Sequence, residues 1–230
     1  MTDKNAEKFD AYADEYERLH ATNVAISGED TDYFAGYKVD CLERAGVTRA
    51  ERILDFGCGI GNVTSKLVER FSNVEGYEPS QLSAEKAQQR ASGARVHADW
   101  AAVPLGAFSV VMLSCVLHHV PLAERAGVLA RSKQALAPGG RLFVFEHNPL
   151  NPLTRRAVAT CPFDDDAILL WPWEQKRLLR DAGFASVELD YIVFFPKPLA
   201  FMRPLEPKLS WLFAGAQTMT QGTKPLVQRK

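Results

Sequence analysis

From residue 51 to residue 146, short apolar runs alternate with stretches of helical periodicity, and no other feature of the chain restricts its fold as strongly. Repeated strand and helix units of this kind predict an α/β fold built on a parallel sheet. The apolar runs place strands at 52–56, 73–77, 95–97, 108–114 and 141–146. Between the first two, Val63, Leu67, Val68 and Phe71 fall on one helical face. Between the second and third, the helix formers of Ser83–Ala91 follow a start signal at Pro79-Ser80. Leu136-Ala137-Pro138-Gly139-Gly140 then stops a helix and turns the chain into the strand Arg141–Glu146. A further helix is expected near 173–182 and a strand near 186–194.

The turn after the first strand narrows the ligand. It reads Arg52-Ile53-Leu54-Asp55-Phe56-Gly57-Cys58-Gly59-Ile60-Gly61-Asn62. In open parallel sheets ligands sit beyond the carboxyl ends of the strands, where the strand order reverses, and glycine lets the backbone turn tightly and approach them. A dinucleotide fingerprint is G-x-G-x-x-G, whereas here the third glycine is one position early and Asn62 takes its place. Asp55 would face an anionic pyrophosphate unfavourably but suits a cationic ammonium or sulfonium group. The chain also lacks the G-x-x-x-x-G-K-[ST] loop of nucleoside triphosphate sites.

Asp55–Gly61 resembles the first motif of the class I methyltransferases that use S-adenosylmethionine, and further blocks match in order. Glu78 follows the second strand, Asp99-Trp100 follows the third in VHADW, the fourth runs FSVVMLSCVLHHV, and LAPGGRLFVFEHN leads into the fifth. One departure is Phe108-Ser109, where the family usually has Phe-Asp. The resemblance implies a Rossmann-like, doubly wound, seven-stranded sheet, mostly parallel with an antiparallel last strand from part of 211–224, and helices on both faces. It implies one methyltransferase domain over 1–230, with a helical cover in 1–50, a cofactor core in 51–146 and a substrate-side part in 147–230. It also implies S-adenosylmethionine held by the Gly57-Cys58-Gly59 turn and Asp55. Glu78 would meet the ribose, with Pro79 beside it also at the cofactor, Asp99 and Trp100 the adenine, and a carbonyl near Ser114 or Cys115 the methionine ammonium. Tyr16, in FDAYADEY of an expected helix over 4–20, is similar to a segment that folds over the cofactor.

His118, His119, Glu146 and His147 end the fourth and fifth strands, where the methyl group would lie, and are the candidate catalytic groups. Each also admits a packing or hydrogen-bonding reading. Arg155-Arg156 offers a bidentate anion contact or a solvated helix start. Asp164-Asp165-Asp166 reads as helix capping rather than a metal site, so no metal is expected. Residues 147–230 carry nine of thirteen prolines and three of four tryptophans. Packing is the default for most of Trp171, Trp173, Tyr191, Phe194, Phe195, Phe201 and Trp211, with stacking on an acceptor or a membrane surface as alternatives.

Composition excludes other classes. The 27 basic and 28 acidic residues nearly cancel, so no global field draws nucleic acid or an anionic membrane. The opening TDKNAEKFD has no leader pattern, no run of about 18 apolar residues occurs, and four scattered cysteines show no paired spacing. A cytoplasmic protein, monomer or homodimer, is expected, without a transmembrane segment. The resulting expectation is methyl transfer to an oxygen or nitrogen of a small molecule, a sugar, secondary metabolite or aromatic acceptor, by an enzyme of a bacterial subgroup. The alternative is a non-catalytic cofactor-binding relative or partner subunit.

Overall fold

A computed structural model describes residues 27–161 and 164–226. Its strands are β1 (Arg52–Phe56), β2 (Asn73–Tyr77), β3 (Arg95–His97), β4 (Phe108–Ser114), β5 (Leu136–His147), β6 (Ala185–Ile192) and β7 (Gln217–Thr223). The helices are α1 (Thr31–Arg44), α2 (Asn62–Arg70), α3 (Gln81–Arg90), α4 (Leu122–Ala135), α5 (Pro152–Ala159) and α6 (Pro172–Asp181). The strands join in one seven-stranded sheet of order β3-β2-β1-β4-β5-β7-β6. β1 lies parallel between β2 and β4, while β7 is antiparallel to both β5 and β6, as the sequence resemblance implied.

The first four strands fall where the apolar runs put them. β5 starts earlier than expected: Phe108 already pairs with Leu136, after which the register jumps to Val110 opposite Arg141. The Ala137–Gly140 stretch is absorbed as an irregularity, with Gly139 at a φ of +78° that a residue with Cβ rarely adopts. β6 ends ahead of the expected 194, because Val193 takes a left-handed φ of +61° and turns the chain out of the sheet.

Strand periodicity distributes the core to two faces. Val111 and Leu113 of β4 pack with Leu54, Leu142 and Val144 beneath Val128 and Leu129 of α4 and Leu179 of α6. Val110 and Met112 point the other way, with Ile53, Phe143 and Phe145 beneath Val39 and Leu42 of α1 and Leu67 of α2. Both faces of the central strands are therefore buried, which is why they read as continuous apolar runs. Each fully buried side chain of this size contributes about 1.5–3 kcal/mol.

Helix α1 lies within the stretch 1–50 expected to be a helical cover, although the sequence reading places no helix of its own at 31–44. Asp30 caps it by accepting from the Tyr33 N–H at 2.8 Å, and its buried stripe is Ala35, Lys38, Val39, Cys41 and Leu42. A lysine inside the stripe blurs its periodicity. The expected helix over 4–20, with Tyr16, lies outside the described residues. Among the described residues no helix is long and apolar enough to cross a membrane.

Candidate active site

β1 leads into α2, which covers one face of the sheet, whereas β4 leads toward α4 on the other. Neighbouring strands whose connections part to opposite faces open a crevice at their carboxyl ends. A cavity of about 350 Å³ lies there, lined from the β1 turn by Asp55, Gly57, Cys58 and Gly59, and from the end of β4 by Ser114 and Cys115. Glu78, His118, His119 and His147 also line it.

The glycines of the turn differ in purpose. At Gly61, φ is +84° and a Cβ would come within 2.8 Å of the Ala87 backbone, so this glycine lets α2 and α3 close on each other. At Gly59, φ is +54° and a Cβ would meet nothing within 4 Å. Its missing side chain leaves room on the cavity side, as a close ligand requires.

The charged groups around the turn are fixed by named partners. The Asp55 carboxylate is buried and accepts from Thr64 Oγ1 at 2.8 Å. Burial pushes its pKa up to about 6, opposed by the Thr64 hydrogen bond and the Lys38 charge. Glu78 accepts from the Gly59 N–H at 2.9 Å and the Ser80 N–H at 3.0 Å, which ties the end of β2 to the glycine turn. Lys38 of α1 is buried and donates to Ser114 Oγ at 2.7 Å. It lines the same cavity, a site residue that reading the sequence missed. A lysine flanked by the apolar stripe of a capped helix was the available signal.

Three buried side-chain atoms of the described residues have no hydrogen-bond partner: Tyr33 Oη, Asp55 Oδ1 and Gln217 Oε1. All three residues line this cavity. Orphaned buried polar groups cost about 1–3 kcal/mol each, a cost that a polar ligand in the cavity would offset for any of the three it reaches.

The far end of the cavity is built by histidines. His118 and His119 form a 3₁₀ turn after β4, and Cys115 ahead of them holds a strained φ of +59°. Buried His118 gives Nδ1 to Glu146 Oε2 at 2.5 Å, and the other Glu146 oxygen accepts from the Leu117 N–H at 2.8 Å. Burial alone would lower the His118 pKa, but the Glu146 charge and Asp164 raise it to about 10, so this ring is held protonated. Next to it, His147 is lowered to about 4 by burial and by repulsion from His118, and stays neutral. Asp164 Oδ1 lies 3.4 Å from His119 Nε2 and 3.8 Å from His118 Nε2.

Several expected site residues are placed elsewhere. Glu146 does not line the cavity; both its oxygens are used to hold the Leu117–His118 turn, the backbone-bonding alternative of the sequence reading. Asp99 is exposed and caps the next turn by accepting from the Ala101 N–H, while Trp100 packs on Phe56 and Tyr77. Neither they nor Pro79 is among the lining residues. Arg155 and Arg156 are exposed on α5, away from the cavity. Asp164 is the reverse case: it turns inward to the histidines instead of capping a helix, because α6 begins only at Pro172. In the aromatic tail Phe194 and Phe195 line the cavity, whereas Trp173, Phe201 and Trp211 are 59%, 78% and 74% exposed, contrary to the packing default.

A sheet in this strand order, with a glycine turn after β1 and acidic residues at the ends of β1 and β2, has the architecture of the class I methyltransferases. The chain belongs to a methyltransferase domain family, whose model matches residues 8–189. It is 31% identical over 188 residues to a trans-aconitate 2-methyltransferase of Mycobacterium ulcerans, covering 75% of this chain and 69% of that protein. It is 33% identical over 141 residues to an uncharacterized methyltransferase of Geobacillus kaustophilus, covering 58% and 62%. The chain spans about three-fifths of the length of several curated relatives it matches. Among solved structures, a Thermotoga maritima SAM-dependent methyltransferase superposes with a TM-score of 0.70 over 96% of this chain and 99% of that one, at 23% identity. Magnesium protoporphyrin IX methyltransferase from Synechocystis, solved with SAM bound, gives 0.64 at 15% identity, covering 97% and 98%.

Proposed function

We propose that the chain is an S-adenosylmethionine-dependent methyltransferase acting on a small molecule, with cofactor and acceptor sharing the one cavity. The observation that carries this reading is the turn after β1, where Gly59 leaves open space and, with Asp55 and Glu78, lines the cavity at the carboxyl ends of the strands. Bound S-adenosylmethionine supplies a methyl group activated by positive sulfur. The chain then has to bind it, align an acceptor with it and exclude water, effects able to contribute roughly 7–11 kcal/mol of barrier reduction when well oriented.

Asp55 presents the negative charge that suits a cationic ligand, and Glu78, tied to the glycine turn by the Gly59 N–H, is the carboxylate for the ribose hydroxyls. Lys38, beside Ser114, is placed for the methionine carboxylate. The acceptor lies toward His119, His147 and Phe194–Pro196. His118 is ill suited to act as a base, because it is already protonated and locked to Glu146. The neutral His147 is the group able to take a proton from an acceptor that has one to lose.

The first test is calorimetric titration with S-adenosylhomocysteine, with NAD as control. Micromolar binding of the former alone supports the cofactor assignment; binding of neither, or of NAD, refutes it. Methyl transfer is then assayed with trans-aconitate as the first acceptor, since a relative is named for it. Cofactor binding without turnover on any small molecule would favour the non-catalytic alternative.

A further inference from the structure

The histidine end of the cavity holds an arrangement that methyl transfer does not call for. His118, His119 and Asp164 each bring one potential ligand atom into a cluster whose members all lie within 4.8 Å of one another. The His119–Asp164 and His118–Asp164 separations are 3.4 and 3.8 Å. Donors about 2.0–2.2 Å from a common tetrahedral ion are themselves about 3.4 Å apart, so one edge already has that length and a second is close to it. The third edge, between the two imidazole nitrogens, is within 4.8 Å.

Two further features point the same way. Glu146 holds the Nδ1 side of His118 at 2.5 Å and is itself anchored by the Leu117 N–H, which directs Nε2 toward Asp164. A carboxylate behind a histidine in this manner is the usual outer partner of a metal-ligating imidazole, fixing its tautomer and orientation. In addition, His118 Nε2 and Asp164 Oδ1 face each other at 3.8 Å with side chains only 1% and 8% exposed.

We propose that His118, His119 and Asp164 bind one divalent transition-metal ion of the zinc class, with the remaining coordination position open to the cavity. Two imidazoles and one carboxylate suit zinc, cobalt or ferrous iron better than magnesium or calcium, which take all-oxygen sets, and binding releases to solvent the proton that His118 Nε2 carries in the ion-free protein. All three ligands line the cavity, so the open position takes water or an oxygen of a molecule bound there. Use of the ion in orienting an acceptor rests on the methyltransferase reading; the existence of the site does not.

The test uses untagged full-length protein stripped with EDTA and titrated with Zn²⁺ by calorimetry and with Co²⁺ by visible absorption. One equivalent should bind, and cobalt should show the intense bands of a low-coordinate site. Asp164→Asn and His119→Gln should each weaken binding at least tenfold, and Glu146→Gln by about 10–100-fold, as outer-partner losses do. Circular dichroism checks that the variants are folded, and because Asp164 and His119 lie at the cavity surface, they carry the result if Glu146→Gln does not fold. No stoichiometric binding, or binding that Asp164→Asn and His119→Gln leave unchanged, overturns the proposal. Titration of the stripped protein with S-adenosylhomocysteine reads the cofactor assignment separately.

Discussion

Asp55 is strained in the ligand-free protein, and the strain can be measured. Burial raises its pKa from 3.8 to about 6 despite the Thr64 hydrogen bond and the nearby Lys38 charge. Across that window the folded chain binds the Asp55 proton more tightly than the unfolded chain does, so this group's contribution to stability is fully present at low pH and is lost as pH rises. A displacement of roughly two pKa units corresponds to about 3 kcal/mol lost by neutral pH. Asp55→Asn removes the charge but keeps an oxygen for Thr64. The ligand-free variant should therefore be more stable at neutral pH by up to about 3 kcal/mol, a rise of about 6–12 °C in Tm for a chain of this size. The gain should disappear near pH 4, where wild-type Asp55 is already protonated. In the same variant S-adenosylhomocysteine should bind about 10–100-fold more weakly, since a charged hydrogen bond is worth about 1.5–3 kcal/mol. Urea unfolding at the two pH values and calorimetry at neutral pH give both readings. Equal destabilisation at both pH values would show that Asp55 serves as a hydrogen-bond acceptor for Thr64 and that its charge is not under strain.

Lys38→Met should keep α1 packed while lowering S-adenosylhomocysteine affinity by about 1.5–3 kcal/mol, and a calorimetric titration unchanged from wild type would remove Lys38 from the cofactor site. The two glycines separate space for a ligand from space for packing. Gly61→Ala, facing the Ala87 backbone at 2.8 Å, should destabilise by about 2–4 kcal/mol in urea unfolding. Gly59→Ala should cost only about 1–2 kcal/mol of stability but lose most cofactor binding; the opposite ranking in either assay contradicts this division of roles. Buried Glu206 accepts from Tyr37 Oη and from the N–H groups of Phe194 and Phe195, so Glu206→Ala orphans three donors. Limited proteolysis should then cut within 194–208 much faster than in wild type, and an unchanged pattern would show that those contacts do not hold the segment.

The sheet was readable because each central strand is a short apolar run set off by glycine or proline, and Val110–Leu113 keeps that signature by burying both faces. The glycine turn was readable because its spacing is local in sequence. Helix α1 was not, since Lys38 sits among its buried positions for a reason that exists only in three dimensions, the hydroxyl of Ser114. Asp164 defeats a sequence reading for the same kind of reason. Three consecutive aspartates look like a solvated cap until the chain after α5 brings one of them against the turn following β4. Glu146 shows the limit from the other side: its position at the end of β5 was evident, but the sequence did not tell whether it faced the cavity or the turn behind it.

The origin of the cavity walls has a consequence for how such a protein diversifies. Asp55, Gly59 and Glu78 come from the first half of the chain, whereas Asn151, Cys161, Phe194 and Gln217 come from stretches that follow β5. A change in the later stretches can redraw their part of the cavity wall while the first half of the sheet and its glycine turn stay as they are. Under the methyltransferase function proposed above, grafting the segments between β5 and β7 from one relative onto another would exchange the acceptor side of the cavity while retaining the methyl-donor side. The tie between Asp164 and the histidine turn is where such exchanges meet resistance, because the aspartate travels with the grafted stretch while His118 and His119 stay behind.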